Sequence, residues 1–385
     1  MQALLDRVTG CARALKRNAG TFQEAARLGS PRAALTLLGP AVRGLVLQQG
    51  KAGPTTEVPS AHRACFAWDY PRTRPDVARL TQHARRGQWD PDRDLDWSQP
   101  VDPHDPAREL LAERDLPLVD IPGYRALPAR ERERQRAALL AWMLSQALHG
   151  EQGALFVACQ LTEALTWLDG KLYGSTQVVD EGRHVEVFDR YLTEKLERRY
   201  QVNDNLFVVL DALMRDGRWD VKFLGMQLLV EGLALGAFGT LRESTREPLL
   251  RELLRYVITD EARHVHFGVV ALQDHHAQLA PAERREREDL AFELCVLLRN
   301  RFLAHEFYDE FWAHAMSQRA WDQAMLASGF MARFRRTLFR RVVPNLKRIH
   351  LLPDRLRPHY AALGLLEYEH EKAAPDLTAE ELVGA

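Results

Sequence analysis

The hexapeptide DEGRHV, residues 180–185, returns almost unchanged as DEARHV, residues 260–265. Each copy holds Glu-x-x-His: Glu181 with His184, and Glu261 with His264. On an α-helix, positions i and i+3 lie on one face about a turn apart, so both side chains of a pair reach one metal ion. One such pair arises often by chance; two in the same setting form a pattern. A second regularity sharpens it. Glu151 precedes Glu181 by 30 residues, and Glu231 precedes Glu261 by the same 30. That interval suits a helical hairpin: roughly fourteen residues along one helix, a short turn, and roughly fourteen back along the next. Turn signals fall near the middle of each gap. TWLD (166–169) and STRE (244–247) both have the Ser/Thr-x-x-Asp/Glu pattern of a helix start, and Pro248 sits where a first-turn proline is tolerated. Each lone Glu is therefore expected level with its Glu-x-x-His partner across a hairpin.

The stretch FLGMQLLVEGLALGAF, residues 223–238, carries one formal charge, Glu231. An isolated carboxylate in an apolar helix costs several kcal/mol unless it is neutralised or paired. Two hairpins joined by a crossover give a ferritin-like four-helix bundle, whose metal centre takes a Glu from each of two helices and Glu-x-x-His from each of the others. Four carboxylates balance two divalent cations. Without metal, close pairs of them would repel by roughly 4 kcal/mol at an effective dielectric near 20, and some would take up protons. The expected ligands are Glu151, Glu181, His184, Glu231, Glu261 and His264. The plain alternative for Glu151 alone is an exposed acid beside the helix irregularity at Gly150.

The expected fold is all-α. Helical periodicity places helices near 131–165, 166–200, 219–242 and 247–274, with a short crossover helix within NDNLFVVLDALMRDGRWD (203–220) and a further helix from Pro281 to about 318. Residues 1–130 read as a covering segment, helix-forming to about 50 and then Pro-rich loop; 131–275 as the bundle; 276–385 as helices packed on it. Little suggests strands.

The 385 residues are 46% hydrophobic and 27% charged, an ordinary globular balance. A formal net charge of −1 gives no electrostatic case for nucleic acid or a membrane surface. No run of about 18 uncharged apolar residues occurs; the stretch around Glu231 comes closest. The N-terminus lacks a signal peptide's apolar core. Cys11, Cys65, Cys159 and Cys295 are scattered with no C-x-x-C, which fits a reducing cytoplasm.

The doubled D-E-x-R-H motif resembles that of the di-iron carboxylate proteins, over about residues 135–270. These include bacterial multicomponent monooxygenase hydroxylases, ribonucleotide reductase radical subunits, acyl-carrier-protein desaturases and the p-aminobenzoate N-oxygenase group. The resemblance implies the same six ligands. It also implies that Asp180 hydrogen-bonds His264 and Asp260 hydrogen-bonds His184, with Arg183 and Arg263 as ionic supports. Three positions depart from these families. Phe188 stands where radical subunits carry a tyrosine. Leu235 stands where the hydroxylases carry a threonine. Val257 stands where the N-oxygenase group has a seventh ligand, a His, and reads against membership in that group.

A carboxylate-rich site with two imidazoles suits two iron ions, Fe/Fe or Mn/Fe. The expected function is an O2-activating oxidoreductase acting on a small organic substrate. Its electrons come from outside, from a ferredoxin or reductase, because no G-x-G-x-x-G nucleotide fingerprint follows a strand. A homodimer is expected because related bundles often pair. The rivals are a ferroxidase or iron-storage protein and a metal-free helical interaction protein.

Other residues carry weaker expectations. His149 and His266 each lie two positions from a ligand, on another face, and are not expected to bind metal. Gln177 and Gln227, one turn before a ligand Glu, face the pocket, bond a ligand carboxylate, or are satisfied by backbone. Trp89 and Trp97 staple the loop GQWDPDRDLDWS onto the bundle or form a lid. The run RFRRTLFRRVVPNLKR (333–348) reads as a solvated basic face, or as a dock for an acidic partner.

Overall fold

The structure is a computed structural model and describes residues 2–25, 28–51, 53–66, 68–102, 105 and 108–377. Among them there is no β-strand. Five α-helices come first: α1 (Gln2–Arg17), α2 (Ala19–Ala25), α3 (Pro31–Ala41), α4 (Pro75–Arg86) and α5 (Pro91–Asp94). The first hairpin follows, α6 (Ala129–Ala164) packed along α7 (Leu168–Arg190). A crossover through α8 (Asp204–Arg215) leads to the second. Its first arm is α9 (Trp219–Phe223), a π-helical segment (Leu224–Val230) and α10 (Glu231–Ser244); its second is α11 (Pro248–Gln278), packed along α10. The chain then forms α12 (Pro281–Asn300), a 3-10 turn (Arg301–Leu303), α13 (His305–Phe311), α14 (Gln318–Ala327), α15 (Gly329–Phe339), α16 (Val342–Arg348) and α17 (Arg357–Ala362). This is the all-α, ferritin-like bundle, with helices added at both ends. α4 lies against α7 and α11, and α15 against α10.

The bundle interior is largely apolar around one polar layer, with a few other buried polar groups such as Lys222, which donates to Gln160 at 2.6 Å. Phe188, Phe223 and Phe267 are fully buried, with Phe223 and Phe267 ring centroids 5.0 Å apart. Burying each such side chain contributes roughly 1.5–3 kcal/mol. The arm Trp219–Ser244 is long and apolar enough to cross a membrane, but 89% of its most apolar window is buried inside the protein. Its apolar character goes into the core.

Local details differ from the sequence expectations. The hairpin turns are in place, but the caps are not Thr166 and Ser244. α7 begins after Trp167 with no side-chain cap. The neighbouring Asp169 instead accepts from the backbone N–H of Arg74, 2.9 Å away. α10 runs to Ser244, and α11 is capped by Glu247, whose carboxylate accepts from Leu249 and Leu250 N–H. Glu247 also accepts from the Tyr191 hydroxyl at 2.9 Å, so an acid wins where a buried phenol needs an acceptor. The expected helix over 219–242 is interrupted by the π segment, a common device at functional sites. α11 approaches that segment closely at Gly268, where a Cβ would stand 2.7 Å from the Cβ of Gln227. The helix expected from Pro281 to 318 stops at Asn300. Ala304 there takes a left-handed conformation (φ 51°), which redirects the chain into α13.

The arginine-rich run forms α15 and α16 and is partly a solvated basic face: Arg333, Lys347 and Arg348 are exposed, while Arg336 pairs with Glu367 and Arg340 with Glu371, both at 2.7 Å. Arg341 is buried.

Candidate metal centre

The four bundle helices bring all six expected residues to one layer. α6 supplies Glu151, α7 Glu181 and His184, α10 Glu231, and α11 Glu261 and His264; all six are buried. Their donor atoms form two groups that could each hold a metal ion: Glu151, Glu181, His184 and Glu261, and Glu181, Glu231 and His264. The arrangement is nearly two-fold symmetric. The Nδ1 of His184 lies 3.5 Å from one oxygen of Glu181 and 3.0 Å from one oxygen of Glu261. The Nδ1 of His264 lies 3.2 Å from the other Glu181 oxygen and 3.6 Å from the other Glu261 oxygen. Both acids thus offer one oxygen to each half. Glu151 stands only beside His184, at 3.2 Å, and Glu231 only beside His264, at 4.0 Å. The equal 30-residue intervals produce this symmetry.

The opposite edge of each imidazole is fixed by an aspartate. His184 Nε2 is 3.1 Å from Asp260 Oδ2, and His264 Nε2 is 3.3 Å from Asp180 Oδ2. An Nε2–H donated to an aspartate leaves the Nδ1 lone pair facing the glutamates. The crossed pattern has Arg183 and Arg263 between the two aspartates. Arg183 pairs with Asp180 and lies 3.5 Å from Asp260; Arg263 pairs with Asp260 and lies 3.6 Å from Asp180.

Sequence reasoning missed two members of this layer. Between α4 and α5, Gln88 donates to Asp180 at 2.9 Å and the Trp89 indole donates to Asp260 at 2.8 Å. Trp89 also stacks on Tyr256 (4.9 Å) and lies under the Arg183 guanidinium (5.2 Å). It staples the loop, as one reading held, and it also fixes the carboxylate behind His184. Trp97 donates to Pro91 O and stacks under Arg190. No sequence signal distinguishes Gln88, which acts through tertiary packing alone.

The remaining polar residues sort cleanly. Gln177 donates to Glu181 (3.1 Å) and Glu231 (3.2 Å), tying two acids together. Gln227 bonds neither; the π segment's wider turn carries it off the Glu231 face, and its amide has no partner among the described residues. His149 bonds Tyr200 O at 2.9 Å, and neither it nor His266 joins either ligand group. Phe188, Leu235 and Val257 are buried apolar residues.

Without cations this layer is electrostatically awkward. Burial pushes the carboxyls of Glu151 and Glu231 well above the usual range, and neighbouring carboxylates push them further. Burial raises Glu181 too, but in metal-free protein the charge of His264, and then that of His184, overrides it and holds that carboxyl low. Burial lowers both imidazoles, yet the surrounding acids raise them well above their ordinary value. Glu181 Oε2, Glu231 Oε2, both Glu261 oxygens and His264 Nδ1 are buried with no hydrogen-bond partner among the described residues. Orphaned acceptors that converge on one point are what a cation site requires. The donor set fits two oxygen- and nitrogen-loving divalent ions.

Beside the layer lies a narrow cavity of about 60 Å³ whose lining includes Glu151, Glu231 and Glu261. Trp142, Phe238 and Phe302 form aromatic parts of its wall. One side of the centre therefore borders a cavity and not solid core.

The family model of P-aminobenzoate N-oxygenase AurF matches residues 71–350. The match extends well beyond the 135–270 span carrying the motif, and takes in the Gln88–Trp89 segment and α12 to α16. No curated relative and no solved structure matches the chain. The reading of Val257 against membership is overturned: that position is a closed piece of apolar core, and the match holds without an imidazole there. The chain belongs to the p-aminobenzoate N-oxygenase family, a di-iron family of ferritin-like fold.

Proposed function

We propose that this chain is a di-iron oxygenase that oxidises the nitrogen of a small aromatic amine. The observation that carries the reading is the convergence of five buried, unpartnered donor atoms on one point beside a cavity with aromatic walls. Glu151 and His184 would hold one ion, Glu231 and His264 the other, with Glu181 and Glu261 spanning both. Two iron ions held there would supply the redox chemistry that activates O2, re-reduced by an external donor. The chain's own residues do the rest. Asp180 and Asp260 keep the imidazoles in one tautomer, Gln177 holds Glu181 and Glu231 in register, and the aromatic walls keep water from the reacting face. An aromatic-walled cavity at the carboxylates suits an organic substrate better than Fe(II), which disfavours a storage role. Electrons are expected from an external donor in a cytoplasmic setting.

The test is anaerobic Fe(II) titration of purified protein, followed by exposure to isotopically labelled O2 with p-aminobenzoate. Two irons per chain and label in the oxidised nitrogen group are expected. Fewer than about one iron per chain after loading, or no oxygen consumption by the reduced protein, would overturn the proposal.

A further inference from the structure

The near two-fold symmetry of the metal layer breaks one step behind the imidazoles. Asp180 and Asp260 are equivalent, each bonded to the imidazole of the other motif. Behind Asp180 the next group is the Gln88 amide, at 2.9 Å. Behind Asp260 it is the Trp89 indole, at 2.8 Å. A single atom, Asp260 Oδ2, accepts from Trp89 Nε1 and faces His184 Nε2, so one oxygen joins the indole to a ligand. Trp89 is buried, and its ring stacks on Tyr256 with centroids 4.9 Å and planes 22° apart. Tyr256 itself is only half-buried. It stands four positions before Asp260 on α11, whereas four before Asp180 on α7 stands Thr176. One half of the centre thus has a continuous chain toward the surface, His184–Asp260–Trp89–Tyr256. The other half has an amide and a threonine at the matching places.

Indole and phenol rings lose one electron far more readily than an amide or an aliphatic hydroxyl, because the charge left behind spreads over a π system. Ring stacking and a shared hydrogen-bond acceptor keep each transfer in the chain short. Nearby cations decide where the charge comes to rest. Arg183 lies over the Trp89 ring at 5.2 Å and Arg255 over the Tyr256 ring at 4.1 Å. A guanidinium opposes positive charge on the ring beneath it, so neither ring is a resting place for a radical cation. The half-buried phenol resolves this by releasing its proton to solvent. Tyr173, the other tyrosine near the centre, lacks that outlet: its hydroxyl is buried with no hydrogen-bond partner among the described residues.

We propose that Trp89 and Tyr256 form an escape route for oxidising charge, used when the O2-oxidised centre has no substrate beside it. One electron leaves the Tyr256 phenol and passes through Trp89, Asp260 and His184 to the iron held there, which is reduced by one electron. The phenolic proton goes to solvent, leaving a neutral tyrosyl radical. A thiol or ascorbate in solution returns the hydrogen atom and is itself oxidised by one electron. The route spares the oxidisable side chain nearest to hand: Met143, a thioether, lines the same cavity as Glu151, Glu231 and Glu261. This inference rests on the oxygenase reading above and adds a safeguard to that site.

The test mixes reduced, iron-loaded protein with O2 in the absence of substrate, thiol and ascorbate. Samples are frozen at intervals for electron paramagnetic resonance, and Met143 sulfoxide is measured by peptide mass spectrometry. Wild type is expected to give a tyrosyl signal that narrows when its tyrosines are ring-deuterated. Tyr256→Phe keeps a ring in the stack, yet it should lose the signal and raise Met143 oxidation. Trp89→Phe at saturating iron should lose the signal as well, whereas Tyr173→Phe should keep it. No tyrosyl signal in wild type, a signal that survives Tyr256→Phe or Trp89→Phe, or one that vanishes in Tyr173→Phe would overturn the proposal. So would Met143 oxidation that is no higher in Tyr256→Phe than in wild type. Iron content and O2 uptake are measured on every sample. Normal loading and uptake with no tyrosyl radical refutes the escape route alone, whereas failure to load iron or to consume O2 refutes the oxygenase reading.

Discussion

Glu231→Gln should reverse its effect on stability when iron is added. In metal-free protein, burial and three neighbouring carboxylates raise the Glu231 carboxyl well above its ordinary value of 4.5. An acid with a raised folded pKa binds a proton on folding. That costs nothing below the unfolded value, and the cost grows as pH rises above it. At 1.36 kcal/mol per unit, the ceiling is about 3.4 kcal/mol at pH 7 and about 0.7 kcal/mol at pH 5. Glutamine needs no proton, and it can keep an oxygen toward Gln177 Nε2, now 3.2 Å from Glu231 Oε1. An unfolding entropy near 2.1 cal/mol/K per residue over 385 residues turns the pH 7 ceiling into a rise in Tm of about 4 °C. Iron inverts the sign. If the substitution weakens binding 100-fold, the loaded variant forfeits about 2.7 kcal/mol of ligand stabilisation. Differential scanning calorimetry at pH 5 and 7, with and without Fe(II), reads all four quantities. A metal-free variant that melts below wild type at pH 7, or a gain no larger at pH 7 than at pH 5, would show that Glu231 is not a crowded acid. An unchanged response to iron would show that it is not a ligand.

Three further outcomes follow from the packing. Trp89→Phe keeps the stack on Tyr256 and Arg183 but loses the indole N–H to Asp260, so iron affinity in chelator competition should fall roughly 10–100-fold; unchanged affinity would remove Trp89 from the layer. Gly236→Ala should destabilise by roughly 1–3 kcal/mol in urea despite the helix-favouring residue, because its Cβ would stand 2.8 Å from Leu338 Cα and 2.9 Å from Thr337 O, backbone atoms that cannot step aside. Glu293→Gln should be neutral near pH 4.5 and gain on wild type, by about 2 kcal/mol after screening, as pH rises toward 8; burial and then the Asp289 charge push the Glu293 carboxyl up to about 8, and a pH-independent difference would refute that cause.

What could be read from the sequence was what covalent spacing dictates. A helix face repeats along the chain, so Glu181 with His184 and Glu261 with His264 announce themselves locally, and equal intervals back to Glu151 and Glu231 fix the hairpins. The crossed Asp180 and Asp260 contacts are implied by family likeness, and both aspartates stand against the expected imidazoles. The parts that stayed hidden depend on which distant surfaces meet. Ser244 and Glu247 are competing caps three positions apart, and Glu247 is the one that also accepts from the buried Tyr191 hydroxyl. Within 333–348, Arg336 and Arg340 meet acids only because Glu367 and Glu371 fold back against them. Arg301 is one of 52 basic residues, in the ordinary-looking stretch LLRNRF. It stands out only when the helix ends at Asn300, Ala304 turns the chain aside, and the side chain comes to the cavity wall with no acid in ion-pair range among the described residues. The metal layer is written in periodicity because several helices must deliver ligands in phase. A residue held by tertiary packing alone, such as Gln88 against Asp180, has no partner in phase with it along the chain, so periodicity cannot announce it.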